Sequence, residues 1–221
     1  MADSFQSQVS DALLALADPV RATAMSAYMR DQFSFLGIAT PVRRQALRPL
    51  LKTLNAAGPG TLLGHARELW SRPQREYQYV ALDLLSLHWK KLNLEHIPSL
   101  LELAQLKSWW DSVDGLAGVI GEVLRFSHAE MDEALQHENM WLRRIAMLHQ
   151  LGWRDRTDCG WLFKAALHLG SEKEFFIQKA IGWALRDYAR HAPQAVREFI
   201  QLNRDGLSSL SYREASKHLG P

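Results

Sequence analysis

The stretch Lys107-Ser108-Trp109-Trp110-Asp111-Ser112-Val113-Asp114 sets two tryptophans and two aspartates within six consecutive residues, Trp109 to Asp114. Ser108, with Asp111 three residues on, is spelled like an N-cap with an acidic partner, which predicts a helix from Ser108 to Arg125. On that helix Trp110 and Asp114 lie four apart and share one face. The same face continues to Gly118 and Gly121. An aromatic plate, a carboxylate and two positions without side chains suit a surface that admits a bulky ligand better than one that packs. Asp111 is explained by the helix dipole, which favours an acid in the first turn. Trp109, a quarter-turn away from Trp110, belongs with the core. Asp114 admits two roles: a functional carboxylate partly desolvated beside Trp110, or a salt bridge to an arginine on a neighbouring helix. The functional carboxylate is the expectation for Asp114.

Outward from this helix the pattern is helical almost throughout, with no convincing period-2 alternation. Helices are expected over Val9–Ala17, from Pro19 to about Met29, after Thr40 as N-cap with Pro41 at the first position, and over Thr61–Trp70. Ser71 with Gln74 suggests a capping box for a helix reaching His88. Asn93–Leu106, Trp141–Leu151, Gly160–Leu169, Glu172–Arg190, Pro193–Leu202 and Ser208–Leu219 follow, with a short helix capped by Ser127 and Glu130. About twelve short helices with short connections imply antiparallel pairs that must stack to bury their apolar faces. The expected fold is therefore all-α: a curved superhelical stack of antiparallel HEAT-like helix pairs, forming a single domain over 1–221.

Composition bounds the function. The chain has 221 residues, 47% of them apolar, and a net charge of +2. It is long enough for a sizeable core. The charge excludes a grossly basic coat protein but not a DNA-binding protein with its cations on one face. No apolar run of about 18 residues appears, so no membrane span is expected. Met1-Ala2-Asp3-Ser4-Phe5 has no basic n-region, so no signal peptide is expected. The single cysteine, Cys159, excludes an internal disulfide and fits a reducing cytoplasm.

Trp183 can be tested on a helical wheel. Ile177, Ala180, Ile181, Ala184, Leu185 and Tyr188 form one apolar stripe, and Trp183 falls roughly 140° from its centre. Its neighbours on the wheel are Phe176, Lys179, Arg186 and Arg190. Either a neighbouring helix covers this tryptophan, or it is an aromatic plate for a ligand, with Lys179 and Arg186 placed to hold phosphates. On the helix from Trp141, the residues Trp141, Leu142, Ile145 and Ala146 share an apolar side, and Arg143 and Arg144 point away from it. Arg154, Arg156 and Lys164 follow. Basic residues interleaved with aromatics on consecutive helices suit a nucleic-acid backbone with a base or sugar. Gly58-Pro59-Gly60 with Gly64 has the wrong spacing for a dinucleotide loop. The nine histidines show no metal-like pairing, and no metal site is expected. His149, on an apolar helix, reads as a satisfied core histidine.

Lys107 to Asp114 also resembles the signature of the AlkD-type alkylpurine DNA glycosylases. Phe35-Leu36-Gly37-Ile38-Ala39-Thr40-Pro41, Arg75-Glu76-Tyr77-Gln78-Tyr79-Val80-Ala81-Leu82-Asp83 and Phe175-Phe176-Ile177-Gln178-Lys179-Ala180-Ile181-Gly182-Trp183 support the match in the same order. The resemblance implies a stack of HEAT-like pairs with DNA in a basic channel. It also implies hydrolysis of the N-glycosidic bond of cationic N3- and N7-alkylated purines in double-stranded DNA, leaving an abasic site. It places the catalytic aspartate on Asp114, the two site tryptophans on Trp110 and Trp183, and a backbone-gripping arginine on Arg144. Tyr28 aligns with a tyrosine near the site. Thr40, Arg44, Arg143, Arg154, Lys179 and Arg186 complete the expected DNA contacts. The family can leave the lesion stacked while holding the deoxyribose and backbone. Ala39 stands where the family has a polar residue, and Gly152 where a lysine is common, with Arg154 or Arg156 as its substitute.

The expectation is a monofunctional glycosylase that needs no cofactor and no metal, a monomer, cytoplasmic and nucleoid-associated when on DNA. The alternative is a non-catalytic HEAT-repeat DNA-binding or scaffold protein, since repeat folds host many binders.

Overall fold

The computed structural model describes residues 4–219. Its helices are α1 Phe5–Leu14, α2 Pro19–Tyr28, α3 Thr40–Lys52, α4 Pro59–Ser71, α5 Arg75–His88, α6 Ile97–Ala104, α7 Trp110–Leu124, α8 Met131–Gln136, α9 Met140–Leu148, α10 Cys159–His168, α11 Phe175–Ala189, α12 Pro193–Leu202 and α13 Ser209–Ser216. Among the described residues there is no strand, only an isolated parallel bridge between Ser34 and Gln74. The fold is all-α. Backbone contacts divide it into two compact units, Met1–Leu92 and Asn93–Pro221, at a point where composition shows no boundary.

In the first unit α4 packs along α5, α1 lies on α3, and α3 on α5. Val9, Leu13, Leu47, Leu62, Leu69, Val80 and Leu84 fill the space between them. The loop before α3 is held by one buried carboxylate. Glu76 Oε1 accepts from the backbone N–H groups of Gly37 and Ile38 at 2.8 and 3.2 Å, and Oε2 from that of Leu36 at 2.9 Å. Gln78 donates to the carbonyls of Leu69, Trp70 and Arg72 at the end of α4. The Glu76 carboxylate has its partners supplied on both oxygens, and Gln78 on its amide nitrogen, though not on Oε1. The stretch Arg75 to Asp83 thus organises its own unit.

In the second unit α7, α9 and α11 pack in succession; α6 lies on α7, α8 on α9, and α12 and α13 on α11. Gly121 is a packing glycine. A Cβ there would stand 2.1 Å from the His149 carbonyl oxygen at the end of α9. This corrects its expected role as an open position beneath a ligand: its face of α7 turns inward by the third turn. Gly118 does face open space, with nothing within 4 Å of a Cβ built there.

Several helix starts differ from their expected spelling. Ser108 does not cap α7. Its hydroxyl donates back to the Ala104 carbonyl at 2.7 Å, and Trp109 occupies the N-cap without a side-chain bond. Ser71 likewise turns back to Glu68, so the capping box before α5 does not form. Thr40 is the first residue of α3, and Ala39 is its N-cap. Ser and Thr hydroxyls reach the preceding turn as readily as the next one, which explains the ambiguity. Asn139 and Ser208 do cap α9 and α13. No helix among the described residues is long and apolar enough to cross a membrane.

Candidate active site

The helices α7, α9 and α11, packed in succession, bring Asp114, Arg144 and Trp183 together. Arg144 Nε and Nη2 donate to Asp114 Oδ1 and Oδ2, each at 2.7 Å. Its Nη1 donates to the Phe176 carbonyl at the start of α11. The guanidinium carbon lies 5.3 Å from the Trp183 ring centroid. One arginine therefore ties three helices at a single point. Its side chain is 1% exposed, whereas that of Asp114 is 22% exposed. A guanidinium this deep is rarely left unpaired, and a bidentate carboxylate matches its planar fork.

This geometry realises both roles open to Asp114 at once: it is bridged to an arginine, and it keeps an accessible edge. Each carboxylate oxygen has two acceptor directions, and Arg144 takes one of each. Burial pushes the Asp114 carboxyl above the ordinary aspartate value. The hydrogen bonds and charge of Arg144 oppose that rise, and the neighbouring Asp111 adds to it. The pair gives a carboxylate locked in orientation and poorly solvated, suited to stabilise a positive charge that develops near it.

Around the pair the walls are aromatic. Trp109, Trp141 and Phe176 pack edge to face or tilted, with centroids 5.2 to 5.9 Å apart. Trp109 belongs to this packing rather than to the polar edge. Trp110 opens α7 one turn before Asp114, half-buried. Trp183 is half-buried, with the Lys179 ammonium also 5.3 Å from its ring centroid.

The cations expected on DNA have mostly found carboxylates. Arg143 donates Nε and Nη2 to Glu172 at 2.7 and 2.9 Å and Nη1 to the carbonyls of His137 and Glu138. Lys179 and Arg186 both donate to Glu214 at 2.8 Å. Arg144 lies inward, with the apolar side, and not away from it. Arg154 is exposed at φ +63° in a 3₁₀ turn. In the first unit Tyr28 and Thr40 are exposed, and Arg44 donates Nε to Asp83 at 2.8 Å with 65% of its side chain in solvent. Gly152 has φ +84° and donates its N–H to Asp187 Oδ2, a backbone state a lysine would hold only at a cost.

Sequence reasoning missed Glu172, Glu214 and the histidine pair. His149 Nδ1 lies 2.6 Å from the Ala146 carbonyl, and its Nε2 lies 3.0 Å from His128 Nδ1. His128 Nε2 in turn reaches Asp158 Oδ2 at 3.2 Å. Burial pushes His149 down to about 3. It is the satisfied core histidine expected. His128 had no periodicity to reveal it.

The fold is all-α, with one bidentate carboxylate–arginine pair joining α7 to α9. The family model for DNA alkylation repair enzymes matches residues 9–219, and the chain belongs to that family. It is similar in structure to a protein described as a predicted DNA alkylation repair enzyme from Enterococcus faecalis. The TM-score is 0.85 at 36% sequence identity, over 92% of this chain and 97% of that one. No curated protein matches the chain.

Proposed function

We propose that this chain is a monofunctional DNA glycosylase that hydrolyses the N-glycosidic bond of cationic N3- and N7-alkylated purines in duplex DNA. The bidentate Asp114–Arg144 pair, its carboxylate 22% exposed and its guanidinium over the Trp183 ring, is the observation that carries this reading. A cationic purine is already a good leaving group. When its bond to C1′ breaks, the electron pair goes to the base and neutralises it, so no acid need protonate the base. The sugar left behind is oxocarbenium-like, and an ionised Asp114 stabilises it and orients the attacking water. The water oxygen bonds to C1′, and its proton passes by way of Asp114 to solvent. Trp110 and Trp183 flank the sugar with their ring faces.

Arg144 is the residue that holds Asp114 in place in this scheme. Exposed Arg154, Arg44, Tyr28 and Thr40 supply DNA contacts, and the protein acts as a monomer in the compartment that holds the DNA. The test is release of methylated purines from methylated duplex DNA, parent beside Asp114→Asn, with chelator present. Release by the parent and a loss of about a hundredfold or more in the variant, with DNA affinity kept, is the expected result. DNA binding without release by either protein would replace the enzyme with a non-catalytic DNA binder.

A further inference from the structure

The C-terminal helix brings a second buried carboxylate to α11. Glu214 is 4% exposed and accepts from three cations. Its Oε1 takes Lys179 Nζ at 2.8 Å and Lys217 Nζ at 2.9 Å; its Oε2 takes Arg186 Nη1 at 2.8 Å and Lys217 Nζ at 2.8 Å. α13 approaches this closely because residue 182 is glycine. A Cβ there would stand 2.4 Å from Glu214 Cβ and 2.9 Å from the Ser211 carbonyl oxygen. Ser211 Oγ adds a bond to the Gln178 carbonyl at 2.9 Å. Burial pushes the Glu214 carboxyl up, but Lys179 and Lys217 outweigh it and hold the group at about 2.

Arg186 and Lys217 already supply two donors and an excess of charge for one carboxylate. Lys179 is not needed to satisfy Glu214, yet it is the one of the three whose ammonium also lies 5.3 Å from the Trp183 ring centroid. The other cation at that distance is Arg144, which holds Asp114. A flexible lysine has many places to go, and the carboxylate fixes one of them.

We infer that Glu214 is a positioning residue for Trp183: by fixing the Lys179 ammonium against the indole, it sets where that ring stands beside Arg144 and Asp114. The catalytic consequence rests on the proposed function; the geometric one does not. A purely structural Glu214 would stabilise α13 on α11 and leave the Trp183 environment independent of Glu214.

The test uses full-length protein labelled with 5-fluorotryptophan, in which the Trp183 fluorine resonance is identified by its loss in Trp183→Phe. Glu214→Gln and Lys179→Met are each expected to move that resonance by more than its linewidth. Lys217→Met, which removes a partner of Glu214 that does not touch Trp183, is expected to leave it in place. Single-turnover base release at saturating DNA is expected to fall about tenfold in the first two variants, with half-saturating DNA changed less than about twofold. Should Glu214→Gln fail to fold, Glu214→Asp keeps the charge but is too short to span Lys179 and Arg186 together, and the same shift is expected. An unmoved Trp183 resonance in Glu214→Gln overturns the inference whatever Lys179→Met shows, and so does an equal shift in Lys217→Met. Absence of base release by the parent would count against the glycosylase alone, because the fluorine signals need no turnover.

Discussion

Replacing Arg144 by methionine removes the charge while keeping much of the side-chain volume. The side chain is 1% exposed and donates to both oxygens of Asp114 and to the Phe176 carbonyl. Its loss leaves a mostly buried carboxylate without a counter-charge, which costs about 3–5 kcal/mol. For a chain of this size that is a fall in Tm of about 6–20 °C at neutral pH. The cost depends on pH in a definite direction. Burial already raises the Asp114 carboxyl, and Arg144 is the group that holds the rise down. Without the arginine the folded-state pKa moves further above the unfolded value of about 3.9. A carboxyl raised in the folded state favours folding when protonated, and that advantage is lost as pH climbs from the unfolded value through the folded one.

The Tm gap between parent and Arg144→Met should therefore narrow as pH falls into that window and widen above it. Base release should shift the same way, with an acidic limb displaced to higher pH in the variant. Thermal melts across pH, paired with single-turnover release on methylated duplex, read both effects. A Tm gap that stays constant with pH would refute the reasoning, because the loss would then come from packing and not from an uncompensated Asp114.

The two glycines of α7 make a contrast. Gly121→Ala should destabilise severely, since its Cβ would stand 2.1 Å from a backbone oxygen, whereas Gly118→Ala should gain about 0.5–1 kcal/mol in helix stability, as read from urea midpoints. Arg154→Ala should leave Tm unchanged and lower the salt slope of DNA binding by about one unit, measured by titration at several salt concentrations. Acid should unfold the protein in part through His149. Its folded value of about 3 lies below the ordinary histidine value, so its contribution is present above about 6.5 and is lost as pH falls toward 3; His149→Gln should flatten the dependence of Tm on pH between those values.

Helix content was legible because 3.6-residue periodicity is a local property, and Pro19 and Pro193 fall in the first turns of α2 and α12, where a missing N–H group is tolerated. Gly58-Pro59-Gly60 reads as a loop before a helix from Thr61, yet Pro59 already opens α4. Caps were less legible. Ser71 and Ser108 have the right spacing for the following helix but bond to the preceding one, a choice that chain direction in three dimensions decides. Gly121 shows the same limit at longer range. Its i+7 spacing from Asp114 places it on the same face, yet the end of α9 covers that face two turns further along. The roles of Glu76 and Gln78 lie further off again, since each binds backbone groups that no side-chain pattern reveals.

The candidate site was legible in its members but not in its charge. Counting cations on the polar faces of α9 and α11 suggested a surface prepared for phosphate. The structure pairs Arg143 with Glu172, Arg144 with Asp114, and both Lys179 and Arg186 with Glu214. A helical wheel shows which way a side chain leaves its own helix. It cannot show that a carboxylate from another segment of the chain waits there. The consequence for function is specific. The Arg143–Glu172 and Arg144–Asp114 pairs are each neutral and project little net field, whereas Lys179, Arg186 and Lys217 share one carboxylate and leave a positive surplus, so in this unit long-range attraction rests on that surplus and on exposed residues such as Arg154. The paired ones instead fix side-chain positions to within hydrogen-bonding tolerance. For the proposed reaction, whose leaving group already carries its positive charge, fixed placement of one carboxylate and two indoles would matter more to the rate than a stronger grip on the backbone.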